Sequence, residues 1–207
     1  MVRLHYFFDP MCGWCYGAAS LIEALDLLDN IEVVFYPAGM LNKQEISATF
    51  RHHIVESDKR IAKLTGATFG QAYLDRMLGK ETVVLDSLLP IKAFLTGISL
   101  GAKPTLLLKS IQAAHYQEGA DFNEQAAWSG IADKLGLNRD KWHSLMQVAD
   151  NQLQATLIKN ANLMSEKQVS GYPTFFLEKE GQWVKIAHTQ YYGKSDAWLN
   201  DIKRLCA

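Results

Sequence analysis

The chain has 207 residues, 48 % of them apolar, and a formal net charge of -1. That length supports one good core or a small domain carrying an inserted second one, and the apolar content argues against wholesale disorder. The near-neutral charge supplies no global field to attract nucleic acid, and no basic run suggests an anionic membrane surface.

Val2 to Phe8 is rich in β-branched and aromatic residues and reads as a strand, ended by Asp9-Pro10. Helical periodicity follows, with Ala18, Leu21, Ile22, Leu25 and Leu28 on one face, closed by Asn30. Ile31 to Tyr36 reads as a second strand stopped by Pro37. Strand, helix and strand form a βαβ unit, which predicts parallel pairing and a right-handed crossover.

From about Glu45 to Lys167 the pattern is helical, with no convincing strand. Helices are expected over Ile46 to Leu64, closing at Gly66, and over Phe69 to Leu78, closing at Gly79. Another is expected over Leu85 to Leu100, where Pro90 must kink it or sit in its first turn. Pro104 to Gln117 follows, with Pro near its first turn, and then Asn123 to Leu135, with Asn123 as cap. Asn138 caps a short helix through Val148, and Asn151 to Lys167 is the last of the series. A connection of about 100 residues far exceeds a normal loop of ~4–6, so it should be a domain of its own. Tyr172 to Leu177 and Trp183 to Ala187 then read as a hairpin around Glu180-Gly181. Ser195 can cap a closing helix with Ala197, Trp198, Ile202 and Leu205 on its apolar face. The chain therefore divides as 1-44, 45-167 and 168-207, an α/β fold split by a helical insert.

Only three cysteines occur, Cys12, Cys15 and Cys206. A secreted disulfide scaffold would use more, spread along the chain. Cys12-Gly13-Trp14-Cys15 closes almost no loop, so a bridge there could restrict the unfolded chain only a little, and chemistry suits it better than stapling. A CxxC alone is ambiguous. Haem attachment needs a His after the second Cys, where Tyr16 stands. A structural zinc site needs four ligands, and no spacing here suggests Cys206 and a His as the other two. The βαβ context favours a redox dithiol. At a helix start, unpaired backbone N–H groups face Cys12 and favour its thiolate, while Cys15 lies one turn on, placed to attack a mixed disulfide. Cys12 is the expected nucleophile and Cys15 the resolving thiol.

Asp9-Pro10-Met11-Cys12-Gly13-Trp14-Cys15-Tyr16-Gly17 resembles the active-site opening of the cytoplasmic DsbA-like proteins related to FrnE. The resemblance continues in Ser87 to Ala93, in Gln112 to Gly119 and in Val169 to Phe176, in the family's order and across nearly the whole chain. It implies a thioredoxin-like fold with an all-helical domain inserted between the second and third strands, and dithiol–disulfide exchange as the activity. It also implies that Pro173 is a cis-proline facing the dithiol. Tyr172 departs from the small aliphatic residue usual before that proline, at a position bordering the substrate groove.

Trp14 has two readings, packing on the helix start or an apolar contact for substrate. Asp9 either caps the turn or tunes the thiols. His5 reads as a satisfied strand residue, His52 and His53 as solvated, and His115, Tyr116, Tyr191 and Tyr192 as packing. Cys206 reads as a bystander thiol.

The expected function is thiol–disulfide oxidoreductase of the reductase or isomerase type, acting on protein or small-molecule disulfides. No resident cofactor or metal is expected, and glutathione is a candidate reductant. Neither nucleic acid nor membrane is an expected partner: the segment before the CxxC is too short for a signal peptide, and Val83 to Leu108 is broken by charges and prolines. A cytoplasmic location is the expectation. Two alternatives stand beside this reading. One is a glutathione-dependent isomerase or transferase of the related branch, whose members have Ser at the position of Cys12. The other is a non-catalytic peptide-binding, chaperone-like module. With only Gly13 and Trp14 between the cysteines, Cys12 should rely mainly on backbone N–H groups and the helix end, giving a pKa between ~3.5 and ~7, nearer the upper. The reduction potential should fall between ~-120 and ~-270 mV.

Overall fold

The computed structural model describes residues 2–206. Its main sheet has four strands, β1 (Val2–Phe8), β2 (Ile31–Pro37), β5 (Thr174–Lys179) and β6 (Gln182–Ile186), in the order β2-β1-β5-β6. β1 and β2 are parallel, with Leu4 opposite Val33 and Tyr6 opposite Phe35. β5 runs antiparallel to β1, and β6 antiparallel to β5. The crossover between β1 and β2 holds two helices, α1 (Gly13–Gly17) and α2 (Ala19–Leu25), where a single periodic run was expected. The break falls at Ala18, whose N–H still bonds Trp14 while Leu21 turns back to Ala18. The closing helix α10 (Ser195–Cys206) lies against α2, and the Trp198 indole N–H donates to the Leu21 carbonyl at 3.0 Å.

The insert between β2 and β5 contains α3 (Ala48–Thr65), α4 (Gln71–Leu78), α5 (Leu88–Ser99), α6 (Pro104–Tyr116), α7 (Gln125–Lys134), α8 (Arg139–Val148) and α9 (Asp150–Glu166). It is not all-helical. β3 (Gln44–Ile46) and β4 (Val83–Leu85) pair antiparallel, with Ile46 opposite Val83. Three-residue strands are too short to display an alternation, so Ile46 and Leu85 were absorbed into the neighbouring helical patterns. Ile46, Val83 and Leu85 are buried, and that burial holds the ribbon in place. α3 starts two residues later than its periodicity suggested because Ser47 is its cap, accepting from the Phe50 N–H at 3.2 Å. Pro90 occupies the first turn of α5, where its missing N–H costs nothing. Asn138 caps α8, as expected, whereas α7 begins after Glu124 with no side-chain cap, and Asn123 instead donates to the Val84 carbonyl.

Two apolar clusters result. One joins the inner face of β1 (Leu4, Tyr6, Phe8) to α2, α10 and the helices α5 to α8, and it includes Cys12 and Cys15. The other gathers Met11, Tyr16, Ile46, Val55, Tyr73, Leu85 and Tyr116 under α3 and α4. The short helix α1 therefore lies at the seam, with its cysteines facing one cluster and Met11 and Tyr16 facing the other. Among the described residues no helix is long and apolar enough to cross a membrane.

Candidate active site

Cys12 is the N-cap of α1, in extended conformation. It is 7 % exposed, while Cys15, one turn further, is fully buried, and both are free thiols. The pair is electrostatically unequal. The Cys15 thiol, donating to Cys12, is the largest influence drawing the Cys12 pKa below its usual range; the N–H groups of Cys15 and Trp14 add to this against burial. Burial, then the donation to Cys12, pushes Cys15 well up. The Cys15 thiol and the backbone N–H groups of Cys15 and Trp14 thus act together in favour of the Cys12 thiolate. α1 has only five residues, so its helix end is a weak source of field.

Asp9 lies in the turn ahead of Cys12 and is fully buried. Its Oδ1 accepts from Met11 N–H at 2.8 Å and Ser87 Oγ at 2.9 Å, and its Oδ2 accepts from Met40 N–H at 2.6 Å. One carboxyl thus ties the active-site turn to the chain after β2 and to the start of α5. Burial outweighs the three donors and raises its pKa to about 6. Once ionised, its charge opposes the Cys12 thiolate.

On the far side, the Tyr172–Pro173 bond is cis, and the Cys12 Sγ lies 3.7 Å from the Tyr172 carbonyl oxygen, to which its S–H points. Trp14 stacks on Tyr192 with centroids 5.8 Å apart, so it is both packed and partly exposed. Trp14, Tyr172, Pro173 and Tyr192 edge a cleft of about 760 Å³ that also carries Arg60, Lys63, Lys185 and Lys194.

Gly13 and Gly17 are the face on which α3 seats. A Cβ at Gly13 would stand 2.9 Å from Asp58 Oδ1, and one at Gly17 would stand 2.7 Å from Ile61 Cγ2. Asp58 is buried and accepts from the Tyr73 hydroxyl at 2.7 Å; burial lifts its pKa to about 6. The sequence reading passed over Asp58. The signal was available: Arg51, Val55, Asp58, Ile61 and Thr65 form the buried stripe of α3, and a carboxylate on a buried stripe calls for a partner.

Among the residues first read as structural, His115 and Tyr116 are buried under α4, and Tyr192 forms the floor beneath Trp14. His5 sits between Tyr36 and Glu178, bonding both, and stacks on Trp183. His52 and His53 are exposed. Cys206 lies at the end of α10. No group of three or more His, Cys, Asp or Glu positioned to hold a metal ion occurs among the described residues.

A dithiol at the start of a helix, opposite a cis-proline, on a βαβ–ββα sheet interrupted by helices is the arrangement of a thiol–disulfide exchange domain. The family model for the DSBA-like thioredoxin domain matches residues 3–190, and the chain belongs to that family. Among solved structures it is similar to the cytosolic disulfide reductase DsbM from Pseudomonas aeruginosa, at 32 % identity and a TM-score of 0.91, covering 99 % of this chain and 98 % of that one. The same Pseudomonas protein with GSH matches at 32 % identity, with the same coverage and a TM-score of 0.89. A Nitrosomonas europaea protein put forward as a protein disulfide isomerase shares the fold at 19 % identity, with a TM-score of 0.80 and coverage of 99 % and 98 %. No curated protein matches the sequence.

Proposed function

We propose that this protein reduces disulfides by dithiol exchange, with Cys12 as nucleophile and Cys15 as resolving thiol. It is a thiol–disulfide oxidoreductase, an enzyme of the DsbA-like family. The observation that carries the assignment of roles is position: Cys12 caps α1 against the Tyr172 carbonyl, while Cys15 is fully buried behind it, an arrangement that draws the first thiol down in pKa and pushes the second up. Only the thiolate attacks a disulfide. Cys12 attacks one sulfur, forming a mixed disulfide and expelling the other half as thiolate. The negative charge on Cys12 is then gone, which relieves part of what holds the Cys15 pKa up, while its burial, the larger cause, remains. Cys15 attacks Cys12 Sγ, releasing the second thiol and leaving the Cys12–Cys15 disulfide.

Glutathione fits as the small-molecule thiol that restores the dithiol. The cleft beside Trp14, Tyr172 and Pro173 carries four cations, and glutathione carries two carboxylates. The related Pseudomonas reductase has been solved with GSH. Work in a reducing, cytoplasmic setting agrees with the cytosolic relative. Tyr172 contributes its carbonyl at the thiol, Pro173 the wall, and Trp14 the apolar edge between them. Reduction of insulin or glutathione disulfide tests the reading. The wild-type chain should turn over, Cys12→Ser should be inactive, and Cys15→Ala should accumulate mixed disulfides through Cys12. Trapping that survives loss of Cys12 would reverse the roles.

A further inference from the structure

A second cavity, of about 400 Å³, opens on the other side of Cys12, between α1 and α3. Its walls include Met11, Leu41, Phe50, Ile54, Ile61 and Leu85, with Cys12 among them, and its polar groups are Asp58 at the end nearest Gly13, Ser57, Tyr73, Tyr116, His53 and His115. Among the described residues no Lys or Arg lines it, its only nitrogenous side chains being those of His53, His115 and Trp14, whereas the cleft beside Trp14 and Pro173 has four cations. Helix α3 divides its faces accordingly: Arg60 and Lys63 turn to the cleft, while Phe50, Ile54 and Asp58 turn to the cavity. Trp14 borders both and forms the ridge between them. A disulfide lying over Cys12 must therefore place its halves in two unlike environments.

We propose that the cavity receives the apolar, uncharged half of an asymmetric disulfide whose anionic half lies in the cationic cleft, so that glutathionyl–alkyl disulfides are the preferred substrate class. This rests on the reductase reading above. The Cys12 thiolate attacks the alkyl-bearing sulfur. The Cys12–S–S–alkyl bond forms, the original S–S bond breaks, and glutathione leaves as a thiolate among the cations and takes a proton from water. Cys15 then forms the Cys12–Cys15 disulfide and releases the alkyl thiol, with the Cys15 proton as its balance. Two further glutathione molecules return the dithiol and leave as glutathione disulfide. The carboxyl of Asp58 disfavours an anionic group in the cavity, and the apolar walls reward each methylene removed from water.

The full chain with Cys206→Ser tests this, using methyl, ethyl, propyl and butyl methanethiosulfonate as probes. The second-order loss of the Cys12–Cys15 dithiol is divided by the rate of each probe with a small free thiol. The normalised rate should climb about two- to fourfold per methylene as the chain enters the cavity, and Ile54→Trp, which fills it, should flatten the series. A flat series in the otherwise wild-type protein overturns the proposal without reference to any variant. So does a rising series unaffected by Ile54→Trp, since the alkyl group would then dock elsewhere. The methyl probe needs no cavity: if it reacts no faster than with an ordinary thiol, the redox reading itself fails, whereas a fast methyl reaction with a flat series removes the cavity assignment alone.

Discussion

At the scale of single residues, the chemistry rests on one buried carboxyl and two unequal thiols. Asp9 serves two ends. Its three hydrogen bonds fix the turn that presents Cys12, and its charge works against the thiolate. Asp9→Asn keeps an acceptor for Met11 and removes the charge. It should move the Cys12 ionisation to lower pH, read from the pH dependence of Cys12 alkylation. It should also cost about 1–3 kcal/mol of stability if the Met40 N–H loses its acceptor. An unchanged alkylation profile would mean that Asp9 acts only as an anchor. The sequence singled out Asp9 by its place beside the CxxC, but its partners Met40 and Ser87 come from segments 31 and 78 residues away, which no local pattern could bring together.

At the scale of elements, the seating of α3 on α1 decides where both clefts lie. Gly13 and Gly17 are one turn apart and make the smooth face that Ile61 and Asp58 approach. Gly17→Ala would put a Cβ 2.7 Å from Ile61 Cγ2 and 3.0 Å from Thr65 Cγ2. Overpacking typically costs ~1–3 kcal/mol, and the gain in helix propensity offsets at most about 1 kcal/mol. A net loss near 1–2 kcal/mol in urea unfolding is expected. In an Ile61→Ala background most of that loss should vanish; an additive double mutant would show that the two helices do not meet there. Elements with strong local signals were legible in the sequence. β1, the hairpin at Glu180-Gly181 and α8 behind Asn138 stand where periodicity and turn chemistry put them. Both turn residues of the hairpin have positive φ, as a tight two-residue connection demands. The β3–β4 ribbon was not legible, since its three-residue strands, Gln44–Ile46 and Val83–Leu85, pair across the whole of α3 and α4 and owe their existence to burial. The division of the crossover helix at Ala18 is announced only by Gly17, a residue that the close approach of α3 also requires.

At the scale of the molecule, buried titratable groups pull stability in opposite directions with pH. Asp9 and Asp58 have pKa values raised to about 6, so their protonated forms favour the fold. Their contribution is full below the unfolded pKa of ~3.9 and is lost as pH rises through about 6. His115, pushed down to about 3, and His188, to about 4, do the reverse: the unfolded chain takes up their protons below ~6.5, and stability falls as the pH drops. The net curve mixes both, so the difference between variants is the informative quantity. Relative to wild type, Asp58→Asn should gain stability between about pH 4 and 7, by up to about 2–3 kcal/mol. A pH-independent difference in chemical denaturation would place Asp58 in an ordinary, solvated setting.

The two-sided site belongs to this same scale, because it exists only once the insert is folded back on the CxxC. The central claim is that this assembly turns Cys12 into a thiolate by way of Cys15. Ultraviolet thiolate absorbance of the Cys206→Ser protein, titrated from acid to alkaline pH, reads it directly. One thiolate should appear below the ~8.5 of an ordinary cysteine, vanish in Cys12→Ser, and shift to higher pH in Cys15→Ala, where its principal hydrogen-bond donor is gone. A Cys12 that titrates at or above ~8.5, or one indifferent to Cys15→Ala, would contradict the account.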